Sequence, residues 1–143
     1  MLENIMLGKA IVIAKIKHKE QFDKGGQPYI YHPLRVMLNL TDENDMICAV
    51  LHDVIEDTDT TLDDLRQEGF SEEIITALDC LTRRENESYM QYINRIKTND
   101  IAKRVKLKDL EDNMQLSRIK NPTQKDYDRV KKYEKAKKVL LEK

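Results

Sequence analysis

The stretch AVLHDVIEDT, residues 49–58, reads as a helix with two faces. At roughly 100° per residue, Met46, Ile47, Val50, Leu51, Val54 and Ile55 fall on one half, as a buried face should. His52, Asp53, Glu56 and Asp57 share the other half. A solvated acidic face is the ordinary fate of such residues. Placement argues for more: Glu56 and Asp57 lie in the last turn before Thr58-Asp59-Thr60, where the helix dipole favours cations and disfavours anions. Residues that break a local rule point to function.

The remainder of the chain supplies a helical setting for that element. A chain of 143 residues is expected to form one domain, residues 1–143, with a core large enough to need no staples. Trp is absent, and there are four Gly and three Pro, a composition that suits an all-α fold and leaves little material for strands. The net charge is −1 with both signs interspersed, so no basic stripe is available for counterion-release binding and no nucleic-acid partner is implied. Residues 2 to about 22 are expected to form the first helix, crowded with apolar residues from Leu2 to Ile16. Glu3 sits where a leader would carry positive charge, and Lys9 and Lys15 interrupt the run, so this is expected to be a core helix and neither a leader nor a membrane anchor. A soluble, cytoplasmic protein follows. Cys48 and Cys80 lack C-x-x-C spacing and read as buried thiols in a reducing compartment.

Phe22 to Leu34, FDKGGQPYIYHPL, is the longest irregular segment. Gly25-Gly26 permit a left-handed or closely approached backbone, and Pro33 opens a helix running to about Leu40. His32 is thereby fixed at a helix start. The turn 41–44 leads into the helix carrying His52. A short helix at 62–68 ended by Gly69, another from Ser71 to Leu81 and a third from Ser88 to Lys97 read as scaffold. His18 reads as a supporting residue and not a ligand, and Arg83 as a solvated cation able to meet an anion.

The helix from Asp100 to about Lys120 has an outer arc of Arg104, Lys108, Glu111, Asp112 and Gln115. Asp109 falls in the middle of its apolar arc, with Lys106 one turn back and Asn113 one turn on. An inward carboxylate needs a partner, because an unpaired buried charge costs several kcal/mol or is protonated. A salt bridge with Lys106 is one solution and a metal ion is another. A last helix, 124–142, docks through Tyr127, Val130, Tyr133, Ala136 and Leu140.

His32, His52, Asp53 and Asp109 are thus the residues that generic helix chemistry does not explain. Two imidazoles and two carboxylates suit a divalent transition metal, and four protein ligands on an octahedral ion leave positions for water or substrate.

The order H…HD…D resembles the HD-domain metal-dependent phosphohydrolase superfamily. Within it, GGQPYIYHP (25–33), AVLHDVIEDT (49–58), TLDDL followed by GF (61–70) and VKLKDLEDNM (105–114) are similar to the hydrolase domain of the RelA/SpoT family of (p)ppGpp enzymes and their small stand-alone relatives. The resemblance implies a compact HD-domain bundle of about eight helices. It implies that His32, His52, Asp53 and Asp109 bind the metal, usually manganese. It assigns Glu56 and Asp57 as the paired acids that position and deprotonate water, and Asn113 and Lys24 to the nucleotide. Asp23 precedes Lys24 where these enzymes commonly carry a basic pair, Leu110-Glu111-Asp112 replaces the usual arginine, leucine and histidine, and Leu116 stands where a threonine is frequent. The expected activity is hydrolysis of a nucleotide, guanosine-3′,5′-bis(diphosphate) in the first instance. Another nucleotide, or a non-catalytic metal- or nucleotide-binding HD protein, are the alternatives.

Overall fold

The computed structural model describes residues 2–142, with side chains from Ile5 onward. Its elements are α1 (Leu2–Lys17), α2 (Tyr31–Leu38), α3 (Glu43–Asp57), α4 (Leu62–Gln67), α5 (Glu72–Leu81), α6 (Tyr89–Ile96), α7 (Asp100–Asn113), a 3-10 turn (Leu116–Arg118) and α8 (Gln124–Leu141). The fold is all-α. Among the described residues the one β-bridge, Phe22 to Pro28, is isolated and closes a loop.

α3 is central, packing against α1, α2, α5 and α7. Ile47, Cys48, Ala49, Val50, Leu51 and Val54 are sealed from solvent. Each fully buried Val, Leu or Ile contributes about 1.5–3 kcal/mol, which draws this segment to the middle of the bundle. Asp42 starts the helix, its carboxylate accepting from the N–H groups of Asn44 and Asp45 at 2.9 and 3.3 Å. Buried apolar residues from all eight helices form one continuous core around it.

α3 and α7 lie side by side and run in the same direction: Asp45 meets Arg104 near both N-termini, and His52 meets Asp109 about two turns later. This parallel contact carries the site. α2 crosses beside both helices, with Pro33 in its first turn, where a missing N–H has no helical partner to lose.

Three expectations need correction. α1 stops at Lys17 and not near residue 22, and the polar residues His18 to Gln21 that follow form a turn. α7 stops at Asn113 and not near Lys120. The chain turns back through the 3-10 segment because the Arg118 guanidinium donates to the backbone carbonyl of Asp112 and pairs with its carboxylate. Cys80 is half-buried, whereas Cys48 is fully enclosed; both are free.

The loop before α2 is a tight built turn. Asp23 accepts from the N–H groups of Gly25 and Gln27, both at 2.9 Å. Gly26 has φ +84°, and a Cβ on Gly25 would run into the carbonyl oxygen of Arg118. Glycine is needed at both places, at one for conformation and at the other for close approach. Asp23 therefore shapes the turn that presents Lys24. No helix among the described residues is long and apolar enough to cross a membrane.

Candidate metal centre

α3 contributes His52 and Asp53, α7 contributes Asp109 and α2 contributes His32. One donor atom from each of the four lies within 4.8 Å of every other. His32 Nε2 is 2.8 Å and His52 Nε2 3.3 Å from Asp109 Oδ1. Asp53 lies 3.2 Å from His52 Nε2 through Oδ1 and 3.7 Å from His32 Nε2 through Oδ2. Neighbouring ligands on an ion with bonds of ~2.1 Å are separated by ~3 Å, so this spacing already matches a shared shell. His32, His52 and Asp109 are no more than 4% exposed; His52, on the half of α3 that a helical wheel turns from the apolar core, is covered by α2 and α7, while Glu56 and Asp57 further along stay exposed.

Both imidazoles are oriented from behind. His52 Nδ1 is 2.8 Å from the carbonyl oxygen of Ala49, which can only accept, so that nitrogen carries the proton and Nε2 faces the cluster. His32 Nδ1 is held the same way at 2.6 Å from Asp112 Oδ2. Such backing fixes the tautomer and ring angle that a metal requires. Asp53 Oδ2 accepts from the Tyr29 hydroxyl at 2.7 Å. The two oxygens of Asp109 are divided: Oδ2 takes Lys106 Nζ at 2.9 Å, and Oδ1 faces the imidazoles. The salt bridge and the ligand cluster, alternatives from sequence, are both present.

The electrostatics describe a place built for positive charge. Burial alone would lower the His32 imidazolium, but its bonds to Asp109 and Asp112 lift it to about 10. His52 is likewise raised, with burial opposing and the charge of Asp53 and the bond to Asp109 prevailing. Burial would raise the Asp109 carboxyl, yet Lys106 and the two imidazoles hold it well below its ordinary range. Protons on the two Nε2 atoms occupy the positions where a divalent cation would be bound. The N₂O₂ donor set fits a divalent metal of borderline-to-hard character.

Glu56 and Asp57 lie a turn beyond the cluster on α3 and are outside the group of converging donors. Glu56 is exposed and accepts the backbone N–H of Arg83. The Asp57 carboxyl is held above its usual range, first by removal from water and then by the negative charge of Asp53. Asn113 Nδ2 reaches 3.4 Å from Asp109 Oδ1. A cavity of about 340 Å³ adjoins the cluster, and Lys24, His32, Arg35, Asn113, Arg118 and Arg129 are on its wall. Lys24 also approaches Asp126 at 3.7 Å. His18 is buried beside Tyr29, its Nδ1 2.8 Å from Gln21 Oε1, and is not among the converging donors.

Asp112 corrects the helical wheel. Placed there on the outer arc, it is instead the acceptor for His32 and the bidentate partner of Arg35 at 2.9 and 3.1 Å, and its carboxyl is held down to about 2, burial opposing, by those two bonds. The available signal was its spacing of three residues from Asp109, which puts both on one helical side. Tyr29 had a similar signal, an aromatic three residues before His32 in a segment of Gly and Pro.

No family model matches the chain. It is 43% identical over 79 residues to the guanosine-3′,5′-bis(diphosphate) 3′-pyrophosphohydrolase of Aquifex aeolicus, an alignment covering 52% of this chain and 11% of that protein. It is 31% identical over 123 residues to the guanosine-3′,5′-bis(diphosphate) 3′-pyrophosphohydrolase MESH1 of Drosophila melanogaster, covering 77% of this chain and 68% of that one. The chain spans only 11–12% of the length of the bacterial relatives in Aquifex aeolicus and Borreliella burgdorferi. A solved structure described as a metazoan orthologue of SpoT that hydrolyses ppGpp superposes with a TM-score of 0.75 over 95% of this chain and 85% of that one, at 24% identity. That superposition supports the arrangement of the helices.

Proposed function

Because the chain belongs to the RelA/SpoT-type family of HD-domain pyrophosphohydrolases, we propose that it hydrolyses guanosine-3′,5′-bis(diphosphate) to GDP and inorganic diphosphate with the aid of a divalent metal, manganese in the first instance. The carrying observation is the four-residue cluster, whose Nε2 and carboxylate oxygens share one centre within 4.8 Å. His32, His52, Asp53 and Asp109 would hold the ion, whose Lewis acidity lowers the pKa of water toward neutrality.

The chain's own residues account for the remaining tasks. Ala49 and Asp112 hold the two imidazoles in the tautomer that leaves Nε2 for the ion. Tyr29 fixes Asp53, and Lys106 fixes Asp109. Glu56 follows His52 by four residues and Asp53 by three, so it shares their face one turn along and meets water at the site, not the ion. In the reaction the water oxygen bonds to the phosphorus attached to O3′, the P–O3′ bond breaks, and O3′ departs as the ribose hydroxyl. Glu56 takes the water proton. Asp57, whose carboxyl is raised by removal from water and by Asp53, suits the return of a proton to O3′. Lys24 and Asn113 on the cavity wall suit the nucleotide. A cytoplasmic location accords with such a substrate.

The test is direct: the purified chain with Mn²⁺ and ppGpp should yield GDP and inorganic diphosphate in equal amounts, and EDTA should abolish both. Stepwise release of orthophosphate, or no product from ppGpp with metal bound, would overturn the assignment. A parallel panel of other nucleotides then separates a different substrate from a binding protein without turnover.

A further inference from the structure

Two groups of cations flank the metal centre, and they differ in their partners. Of those on the cavity wall, Lys24 and Arg129 meet Asp126 at 3.7 and 2.8 Å, while Arg35 and Arg118 meet Asp112 at 2.9 and 3.2 Å. Each has an acidic partner within the fold, two cations to each carboxylate. The second group gathers on the Lys106 side of Asp109. Arg83, in the loop between α5 and α6, places its guanidinium 5.4 Å from the ring centroid of Tyr89 and 5.6 Å from that of Tyr92. Lys132 of α8 lies 4.0 Å over Tyr89, and Lys106 5.3 Å over Tyr92.

Here the charges are not balanced. Among the described residues neither Arg83 nor Lys132 has an ion pair, although the chain brings them together from positions far apart in sequence. Lys106 has one carboxylate, and that one is shared with the metal cluster. The Lys132 ammonium is lowered by removal from water and then by repulsion from Arg83 and Lys106, as expected of like charges gathered without an anion. On the ring that Arg83 and Lys132 share, the Tyr89 hydroxyl oxygen is buried and has no hydrogen-bond partner among the described residues. A buried donor left without an acceptor is costly and calls for an explanation, a ligand among them.

We infer that Arg83, Lys132 and the Tyr89 hydroxyl form a subsite for a phosphate group, specifically the terminal phosphate of the diphosphate that this active site releases. The inference rests on the proposed hydrolysis for the identity of the anion, but the subsite itself is defined by unpaired donors. A guanidinium, an ammonium and a phenolic O–H match the three outer oxygens of a terminal phosphate in number and polarity. The location fits as well: Arg83 donates its backbone N–H to Glu56, which ties the loop carrying the guanidinium to the residue assigned to the attacking water. The cavity wall, whose cations already have carboxylate partners but outnumber them, is left to the nucleoside and its 5′ end.

Inorganic diphosphate is the probe. Calorimetric titration of the full chain, with and without Mn²⁺, should show saturable binding that weakens about tenfold to a hundredfold in Arg83→Gln and in Lys132→Gln, the range for a lost charge-assisted hydrogen bond. Tyr89→Phe should weaken it less. Lys135→Gln removes the same charge from an exposed position of α8 and should change nothing, and Mn²⁺ affinity should be unaltered in all four variants. Thermal melts establish that each is folded. Wild-type affinity for diphosphate in the Arg83→Gln/Lys132→Gln double variant overturns the subsite, even if the wild type hydrolyses ppGpp. A wild type that hydrolyses no nucleotide yet binds diphosphate through Arg83 and Lys132 sustains the subsite and overturns only the substrate.

Discussion

α3 and α7 touch through polar groups at two places about two turns apart, and the two are built on opposite principles. At the first, Asp45, 2% exposed, takes one bidentate partner, Arg104, at 2.6 and 3.1 Å. Acid and base are equal in number, and the contact is complete. At the second, two imidazoles and two carboxylates crowd within 4.8 Å, and the metal-free protein must raise both imidazole pKa values to hold them together. Burial of an acid is common to both places. What distinguishes the functional one is a surplus of lone pairs aimed at a single point, each oriented from behind by another residue.

The largest expected effect breaks the second contact and spares the first. Asp109→Ala should remove metal binding and lower turnover by three orders of magnitude or more, the two losses moving together because a ligand is gone. It also strips buried Lys106 of its carboxylate, so a stability loss of about 3–5 kcal/mol should accompany it. Asp45→Asn, at the structural contact, should cost about 1–3 kcal/mol while leaving metal content at the wild-type level. Elemental analysis with urea denaturation distinguishes them; equal metal loss in both variants would erase the contrast.

A smaller effect is expected one shell out. Asp112→Asn keeps the shape of the residue beside His32 but weakens its grip on Nδ1, and metal dissociation constants should rise about 10–100-fold. Unchanged metal affinity would make Asp112 merely an anchor for Arg35 and Arg118.

The pH dependence should be the most diagnostic in sign. His32 is raised from 6.5 to about 10 in the metal-free protein. A raised imidazole contributes stability that is complete below the unfolded value and disappears as pH climbs through the folded one. Metal-free protein should therefore lose stability between about pH 6.5 and 10. With saturating Mn²⁺ the trend should reverse over the lower part of that range, because the ligands must shed protons to bind and affinity grows with pH. Urea midpoints across pH, with and without metal, report both slopes.

Much of this architecture was legible before the fold was known, and the reason is local. The wheel of 49–58 separates core from site because helical periodicity is rigid over ten residues. The inward Asp109 is visible because a carboxylate in an apolar arc has few explanations. Asp112 was not legible: the wheel gives its angle, but not that α2 would cover it with His32 and Arg35. The end of α7 depended on a long-range partner too, since Arg118 draws the chain back onto Asp112. Asp23 looked like an exchanged nucleotide contact and is a turn residue. The unpaired state of Arg83 and Lys132 is a property of three elements meeting, which no single stretch records.

Glu56→Gln tests the central claim most directly, because the claim assigns metal binding to the four converging residues and chemistry to the carboxylate one turn away. Metal content by elemental analysis and the rate of ppGpp hydrolysis should be measured on the same preparation. The account predicts wild-type manganese with turnover reduced by roughly two to four orders of magnitude, the range for loss of a general base. A variant that loses the metal would show Glu56 to be a ligand, and one that keeps both metal and wild-type turnover would contradict the catalytic reading of AVLHDVIEDT.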